Sequence, residues 1–457
     1  MPRPSYHTSA AAQTQAALSH PDLWTAEIVP HLPANLNEQA RNLAAFTRRR
    51  GLAQASDLLR GLLAYVLLAT SFQHLGAWGV LAGVAAISAP AWQKRLVASR
   101  AWLGWLLADL LAVVPPDPSI RLVPHAHGNL LLVDATTLGQ PGGTGDDWRL
   151  HTAYNFSLGR LVQVTLTDRH GGEHLGHYTI QPGDIVVADN GYGYRTSVAT
   201  VRKQQAHLIT RIRPSTFPVM LTDGSVLDLV PQLRKRGATV REWAGCCQDA
   251  AGEQYAVRLI AAKLPPQAAA AARKRARRMA QKHGRRLQPD TLEVAGWVLV
   301  LTTLVDARWT AAEVLTLYRV RWQIELVFKR MKSILRLGHI RGHTCAAVEA
   351  AICAMLVAWA LQTEEAAHVR QRLGALAPMA QWVISSWSVA TLSVDVLVQQ
   401  VRGSWGGQRV QACLPQLQRY LTSRRRADRI HQETTVRAWL ERTPRGTVAA
   451  VVWQPDE

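Results

Sequence analysis

Three acidic residues stand where a carboxylate is able to do chemistry. Asp134 follows the apolar run Leu130–Val133, and Asp189 follows the apolar run Ile185–Ala188. Continuous apolar runs of this kind are typical of strands that are buried on both faces. An Asp after a strand is often only a turn or cap residue. Two of them at matching strand ends, with a third acid on a predicted helix, instead favour a metal-binding site, because an uncompensated buried carboxylate is costly.

The third acid is Glu325, in a segment predicted to form one helix from Tyr318 to Lys332. Steps of three or four residues place five polar side chains along one face of that helix: Tyr318, Arg321, Glu325, Lys329 and Lys332. An adjoining apolar stripe would dock the helix on a sheet: Ile324, Val327, Phe328 and Met331. The alternative is a solvated face of salt bridges, in which Glu325 only balances its cationic neighbours.

Together, the three carboxylates predict a two-metal site for phosphoryl transfer. Mg²⁺ prefers carboxylate and phosphate oxygens and keeps part of its water shell. Two such ions about 3.5–4 Å apart activate the attacking oxygen and stabilise the leaving oxygen of an in-line displacement. We therefore expect two Mg²⁺ ions, or Mn²⁺ in their place, at Asp134, Asp189 and Glu325, which would be both the metal ligands and the catalytic residues.

These motifs resemble those of the insertion-sequence-4 family of transposases. The family signature Y-(2)-R-(3)-E-(6)-K is reproduced, with its spacing, by Tyr318, Arg321, Glu325 and Lys332. The segments Val133–Thr137 and Ala188–Tyr192 resemble the family's two aspartate motifs, with Asn190 where arginine is common. The resemblance extends from the region of Arg48 to about Ala360. It implies that Tyr318, Arg321 and Lys332 contact DNA.

The resemblance also implies a fold, namely an RNase H-like mixed α/β core interrupted by a β-rich insertion. The sequence pattern agrees, since helical apolar spacing before Val114 gives way to strand-like runs, including a predicted hairpin at 151–156 and 161–166. The fold class is therefore α+β and multidomain. The expected layout is a helical DNA-binding module at 1–115, the first part of the catalytic core at 116–200, the β-rich insertion with a basic arm at 201–308, the second part of the core with the Glu helix at 309–365, and a helical C-terminal region, a candidate for dimerisation, at 366–457.

The function implied is that of a DNA transposase. It would bind the terminal inverted repeats of its own mobile element as a homodimer on double-stranded DNA, cut the ends by metal-dependent hydrolysis, and join them to target DNA by strand transfer. Two alternatives stay open. One is an RNase H-like nuclease that cuts without joining, and the other is a catalytically silent DNA-binding derivative of a transposase.

Two features of the predicted insertion bear on DNA binding. Related transposases have a tryptophan at the distance of Trp297 from Glu325 that stacks on a flipped base, whereas a Trp packed on the sheet is the alternative. A basic block contains Arg273, Lys274, Arg275, Arg277 and Arg278. It is predicted to be a solvated helix or a mobile arm that contacts phosphates, with a merely solubilising surface as the alternative.

Composition limits the classes of partner and compartment. The 457 residues include 52 Lys and Arg but only 32 Asp and Glu. The resulting net charge of +20 favours a polyanionic partner. The uncharged stretch Leu75–Trp92 contains glycines and a proline, so a buried helical hairpin is expected rather than a membrane span. Five cysteines without metal-ligand spacing indicate reduced thiols. We expect a bacterial cytoplasmic protein that associates with the nucleoid when bound to DNA and does not associate with a membrane.

A second group of potential metal ligands lies close together in the sequence, at His170, Glu173, His174 and His177. Its density suggests zinc, but the glycine-containing surroundings and the lack of a cysteine partner favour an ordinary loop.

Overall fold

The structure, a computed structural model, describes residues 22–48, 51–113, 128–143, 145, 147–307, 309–342, 344–376, 382–424 and 435–436. The domain boundary predicted between residues 115 and 116 lies outside these ranges. The chain divides into two compact units. The helical unit takes its residues from Met1–Pro115, Leu138–Asp147 and Lys329–Arg425, and the sheet unit takes its residues from Pro116–Thr137, Trp148–Phe328 and Arg426–Glu457.

The helices are, in chain order, α1 Leu36–Asn42, α2 Ala55–Leu67, α3 Phe72–Leu81, α4 Ala89–Ala98, α5 Arg100–Val113, α6 Arg195–Lys203, α7 Leu229–Arg234, α8 Pro266–Lys282, α9 Pro289–Val294, α10 Ala311–Arg319, α11 Trp322–Ser333, α12 Cys345–Ala375, α13 Ser386–Arg402 and α14 Gly407–Leu421. Short helical turns occur at Trp24–Ile28, Val29–His31, Leu175–His177 and Asn190–Tyr192. The strands are β1 Leu130–Leu138, β2 Trp148–Asn155, β3 Arg160–Asp168, β4 Ile185–Ala188, β5 His207–Arg211, β6 Val240–Gln248, β7 Gln254–Lys263, β8 Trp297–Thr302, β9 Trp382–Ile384 and β10 Thr422–Arg424.

The sheet unit is built on one eight-stranded mixed sheet with the strand order β3-β2-β1-β4-β5-β8-β7-β6. Its centre is parallel, because β1 pairs with β4 and β4 pairs with β5 in the same direction. The predicted hairpin is confirmed as β2 and β3, and Gly159 in its turn takes a left-handed φ of 68°. The β-rich segment after β5 continues this same sheet, because β8 pairs directly with β5.

Hydrophobic burial explains the central strands. Leu130 to Val133 on β1 and Ile185 to Ala188 on β4 are all buried, as their continuous apolar sequences predict. Both sheet faces are therefore covered at these strands. A residue placed just past their paired ends is consequently held on a rigid support.

The helical unit combines α1 to α5 with α12 to α14 and the short strand pair β9–β10. Its centre is α12, which packs against α2, α4, α5 and α13. Among the described helices, α12 is the one long and apolar enough to cross a membrane, yet 78% of its apolar window is buried inside the unit. The helical hairpin predicted at Leu75–Trp92 is present as α3 and the first part of α4. Its predicted burial is wrong in part, because Val80 and Leu81 are 60% and 88% exposed.

Candidate active site

Asp134 and Asp189 occupy matching positions on neighbouring parallel strands. The paired residues of β1 and β4 end at Leu132 and Val187, and each Asp lies two residues beyond that pair. Adjacent strands are about 4.8 Å apart and side chains alternate between faces, so both carboxylates belong to the same face of the sheet. The strand after Asp134 continues to Leu138, so this residue stands at the end of the pairing with β4 rather than at the end of its strand.

Hydrogen bonds fix the backbone around both acids. Asp134 Oδ1 accepts from the backbone N–H of Ala135 at 2.8 Å, and Asp189 Oδ1 accepts from the backbone N–H of Gly191 at 2.7 Å. The hydroxyl of Tyr178 donates to the carbonyl oxygen of Asp134 at 3.1 Å and lies 2.9 Å from the hydroxyl of Tyr192. Tyr192, the tyrosine of the second aspartate motif, thus supports the strand that carries Asp134 through its hydrogen bond to Tyr178.

The predicted single helix from Tyr318 to Lys332 is wrong, because two helices meet there. Helix α10 ends at Arg319 and α11 begins at Trp322. Backbone bonds at the junction reach back three residues instead of four, from Arg321 to Tyr318 and from Gln323 to Val320. The break turns the chain at Arg321, so Tyr318 and Glu325 do not share one continuous helix face. The apolar stripe is confirmed as buried: Ile324, Val327, Phe328 and Met331.

Arg321 connects two of the predicted catalytic acids. Its Nη1 lies 3.4 Å from Asp134 Oδ2, and its Nη2 donates to Glu325 Oε1. Burial raises the pKa of Asp134 to about 7, with Arg321 opposing the rise and the charges of Asp189 and Glu325 adding to it. The three carboxylates therefore repel one another within one region of the sheet unit, and a single guanidinium offsets part of that repulsion.

The donor set fits a divalent cation in chemistry, since carboxylate oxygens are the ligands that Mg²⁺ prefers. Burial, and after it the charges of Asp189 and Glu325, raise the pKa of Asp134, and a bound cation would favour its charged form. As the side chains stand, no group of three or more His, Cys, Asp and Glu residues within the described ranges converges tightly enough to hold an ion. Arg321 takes the cationic position between Asp134 and Glu325, so an ion shared by these two carboxylates would compete with its guanidinium.

Glu173 is a further acid at this site, although its position in the sequence indicated only an ordinary loop. A Cβ added to Gly191 would lie 2.0 Å from Glu173 Oε2 and 2.9 Å from Asp189 Oδ1. The two carboxylates thus flank one glycine, and Arg149 Nη1 approaches Glu173 Oε1 at 3.8 Å. Burial and the charge of Asp189 raise the pKa of Glu173. The signal in the sequence was Gly191, at the third position of the Asp-Asn-Gly-Tyr motif. Any side chain at this position would collide with the Glu173 carboxylate, so a glycine there indicates that another group lies close to Asp189.

A basic groove of about 710 Å³ adjoins Arg321 in the sheet unit. Its walls include five arginines, Arg211, Arg213, Arg275, Arg319 and Arg321, together with Tyr318, Trp297 and Trp322. Trp322 is 46% exposed, whereas Trp297 is 5% exposed. The indole N–H of Trp297 donates to Glu293 Oε1 at 3.3 Å, and Arg241 and Lys263 lie 5.7 and 5.8 Å from its ring. Trp297 is therefore packed as a core residue in this conformation.

The basic block forms helix α8, which bears out the predicted helix. Lys274, Arg275, Arg277 and Arg278 are exposed along it. Arg273 differs, since its Nε donates to the carbonyl oxygen of Leu292 at 3.1 Å. Four of the five predicted phosphate-binding cations thus face solvent, and one holds α8 to the segment of α9. Lys332 lies near the end of α11 and lines a separate cavity among the residues of the helical unit.

Three histidine rings pack against one another beside the β2–β3 hairpin. The ring centroids of His151 and His177 lie 4.0 Å apart, and those of His174 and His177 lie 3.8 Å apart. His151 is fully buried, and its Nδ1 has no hydrogen-bond partner in the part of the chain that the structure describes. Burial lowers the pKa of His151 to about 4, with the charge of His177 contributing next. The ring planes are tilted by 30° and 32° against one another, and no group of three or more His, Cys, Asp and Glu residues in the described part of the chain is arranged to hold a metal ion.

A mixed sheet that carries neighbouring acids beside an arginine-lined groove is the arrangement expected of an enzyme that acts on a polyanion. Comparison with known proteins specifies which one: residues 126–361 match the family described as the transposase DDE domain. The chain belongs to this family of DNA-cleaving transposases, which carry out DNA transposition.

Individual relatives agree with the family. The chain is 35% identical over 345 residues to the putative transposase InsL of insertion sequence element IS186A from Escherichia coli K12, covering 74% of this chain and 92% of that protein. It is 35% identical over 346 residues to the IS421 transposase of Escherichia coli, with the same coverage. It is 26% identical over 250 residues to the IS231F transposase of Bacillus thuringiensis subsp. israelensis, covering 50% of each chain.

The two tryptophans of the groove should differ in their effect on stability. Trp297→Ala should lower the free energy of unfolding by about 3–5 kcal/mol, because it removes a buried indole. Trp322→Ala should change it by less than about 0.5 kcal/mol, because much of that side chain is already in water. Urea unfolding followed by circular dichroism measures both. Equal losses for the two variants would show that Trp297 is not a core residue.

The buried histidine should make stability depend on acid. His151 has its ordinary pKa of 6.5 in the unfolded chain and a pKa of about 4 in the folded chain. The stability that comes from a neutral His151 in the folded chain is therefore complete above pH 6.5 and is lost as pH falls towards 4. The loss should be roughly 2–3 kcal/mol. His151→Gln should flatten the dependence of the unfolding free energy on pH in this window, whereas His170→Gln, at an exposed position, should leave it unchanged. A variant at His151 with the wild-type slope would contradict the assignment.

Proposed function

We propose that this protein is a transposase of the insertion-sequence-4 type, which cuts the ends of its own mobile element and joins them to target DNA. The observation that carries the proposal is the strand register that sets Asp134 beside Asp189, with Arg321 connecting Asp134 to Glu325. An RNase H-like core is supported by the parallel centre of the sheet, on which both aspartates stand. The relatives named above are transposases of insertion sequence elements, which supports the same biological role.

In this proposal, Asp134, Asp189 and Glu325 hold two divalent ions, Mg²⁺ or Mn²⁺. When bound, such ions lower the pKa of water and neutralise charge on the phosphate that is attacked. Glu173 lies against Asp189 through Gly191 and is placed to accept hydrogen bonds from water in the same region. Water is thus oriented by fixed carboxylates, which lowers the cost of arranging the attack.

Arg321 has two roles in succession. Before DNA arrives, its guanidinium balances Asp134 and Glu325. If cations took that role, the guanidinium would be free to bind a phosphate group in the groove that it already lines. Tyr318 also lines this groove, with its ring 6.0 Å from the Arg321 guanidinium. Cutting frees a 3′-hydroxyl, which occupies the position of the attacking water in the joining step.

Binding to the inverted repeats of the element would use the exposed cations of α8 and the arginines of the groove. Their partner is double-stranded DNA, bound in the bacterial cytoplasm by two copies of the chain. Trp322, exposed at the groove, is better placed than Trp297 to stack on an unpaired base. A surplus of 20 positive charges supports binding of this kind, since each bound phosphate releases counterions.

Isosteric replacement of the acids should separate cutting from binding. Asp134→Asn, Asp189→Asn and Glu325→Gln should each reduce Mg²⁺-dependent nicking of end DNA by roughly 1,000-fold, about 4 kcal/mol of transition-state stabilisation. DNA affinity should stay within about threefold of wild type, because every Lys and Arg is retained. Glu253→Gln, at a side chain 54% exposed in the same unit, is the matched control. Nicking by Glu325→Gln at the control rate would overturn the mechanism.

Charge removal on α8 should act on binding alone. Replacing Lys274, Arg275, Arg277 and Arg278 by Gln should reduce the slope of log affinity against log salt by up to about 0.9 for each phosphate that α8 no longer binds. Arg273→Gln should leave the slope nearly unchanged and instead lower stability by about 1–2 kcal/mol, because the Leu292 carbonyl loses its donor. Fluorescence anisotropy at several salt concentrations measures the slopes. If the variant with all four substitutions keeps the wild-type slope, α8 does not contact DNA.

A further inference from the structure

A second cavity, of about 550 Å³, lies in the helical unit. It is bounded by the end of α2 and the residues after it, by the segment that joins α11 to α12, and by α12 itself. The lining residues are Tyr65, Val66, Ala69, Lys332, Ser333, Arg336, His339, Arg341, Ala351 and Met355. A volume of this size is in the range of pockets that bind small molecules.

The charge of this cavity is positive. Arg336 and Arg341 are both exposed at it, and the guanidinium of Arg341 is held in place by donating to the carbonyl oxygen of Thr70 at 3.1 Å. No Asp or Glu occurs among the described residues that line it. The ends of α2 and α11 contribute roughly half a negative charge each, which offsets about one cation and leaves a surplus. The ligand that fits is an anion.

The cavity also has an apolar wall. Tyr65, Val66, Ala351 and Met355 line it and are otherwise buried. The ring of Tyr65 is fixed by stacking on Phe72, with the centroids 4.3 Å apart and the planes 5° from parallel. An inorganic anion would leave this wall unused. A ligand with a phosphate at one end and an apolar, planar body at the other would contact both parts.

Backbone strain marks the same cavity. Ala69 and Arg336 both have left-handed φ angles, of 50° and 56°, although neither is glycine. That conformation is unfavourable for residues with a Cβ, and it persists only where the surroundings enforce it. Two strained residues at one cavity indicate that the position of the Arg336 side chain is kept at a cost to stability.

We propose that this cavity binds one nucleotide through its phosphate ester, with the phosphate at Arg336 and Arg341 and the sugar and base against Val66, Ala351 and Met355. A nucleotide of a DNA strand and a free mononucleotide share this chemistry, and the strand is the source expected, which rests on the proposed function. All of the residues that line the cavity belong to the helical unit.

The test uses the full chain and a charge-matched pair of variants. Arg336→Gln with Arg341→Gln removes two cations at the cavity, and Arg402→Gln with Arg409→Gln removes two exposed cations elsewhere in the same unit. Affinity is measured by anisotropy for a labelled single-stranded oligodeoxynucleotide and by calorimetry for dTMP. The cavity variant should bind the oligonucleotide about tenfold more weakly than the control pair, with a salt slope smaller by about 0.7, the value for one single-strand phosphate.

The two probes distinguish the sources of the nucleotide. Loss of oligonucleotide affinity supports the cavity with the DNA strand as source, and loss of dTMP affinity alone supports it with free nucleotide as source. Equal affinities of both variant pairs for both probes overturn it. Arg336→Gly relieves the left-handed strain, so this variant should bind the probes more weakly without a lower melting temperature. If the role of Arg336 were purely structural, the variant would keep its affinity and have a lower melting temperature. Mg²⁺-dependent nicking by the wild-type preparation reports separately on the proposed function.

Discussion

The parallel register between β1 and β4 is the constraint on which the site depends. A shift of one residue would turn one aspartate to the opposite face of the sheet, because side chains alternate along a strand. In the observed register the two carboxylates are neighbours, and their repulsion opposes folding. Backbone N–H groups of Ala135 and Gly191 and the guanidinium of Arg321 offset that repulsion. The buried apolar residues that precede both acids supply the stabilisation that holds the register in spite of it.

The surplus of positive charge divides into two groups with different physical roles. Some arginines are bound by acceptors of the protein itself. Arg258, for instance, is 6% exposed and donates to the carbonyl oxygens of Leu304 and Trp309, and Arg60 is 5% exposed and donates to Val401. Others face solvent along α8 or line the groove beside the acids. Only the second group is available to phosphate, so net charge alone overstates the number of cations that bind DNA.

Local signals in the sequence predicted the central strands and the β2–β3 hairpin, but not the break between α10 and α11 or the long-range contacts of the site. Continuous apolar runs predicted β1 and β4, and a glycine turn predicted the β2–β3 hairpin, because these depend on neighbouring residues. The break at Val320–Arg321 was missed, because the apolar pattern of the segment is helical throughout and the contact of Arg321 with the distant Asp134 cannot be read from it. Glu173 was missed as a neighbour of Asp189 for a similar reason, since loop geometry brings them together across Gly191. Burial of Trp297 depended on the pairing of β8 within the sheet, which its own strand does not reveal.

If Asp134, Asp189 and Glu325 form one cation site, divalent ions must displace Arg321 from it. The most direct measurement is a crystal structure of the protein on end DNA in Mn²⁺, with the ions located by their anomalous scattering. We expect Mn²⁺ bound by all three carboxylates, with the bond between Arg321 and Glu325 broken and the guanidinium on a phosphate. Mn²⁺ bound elsewhere, or Arg321 still joining Asp134 to Glu325 with no ion between them, would contradict a shared cation site.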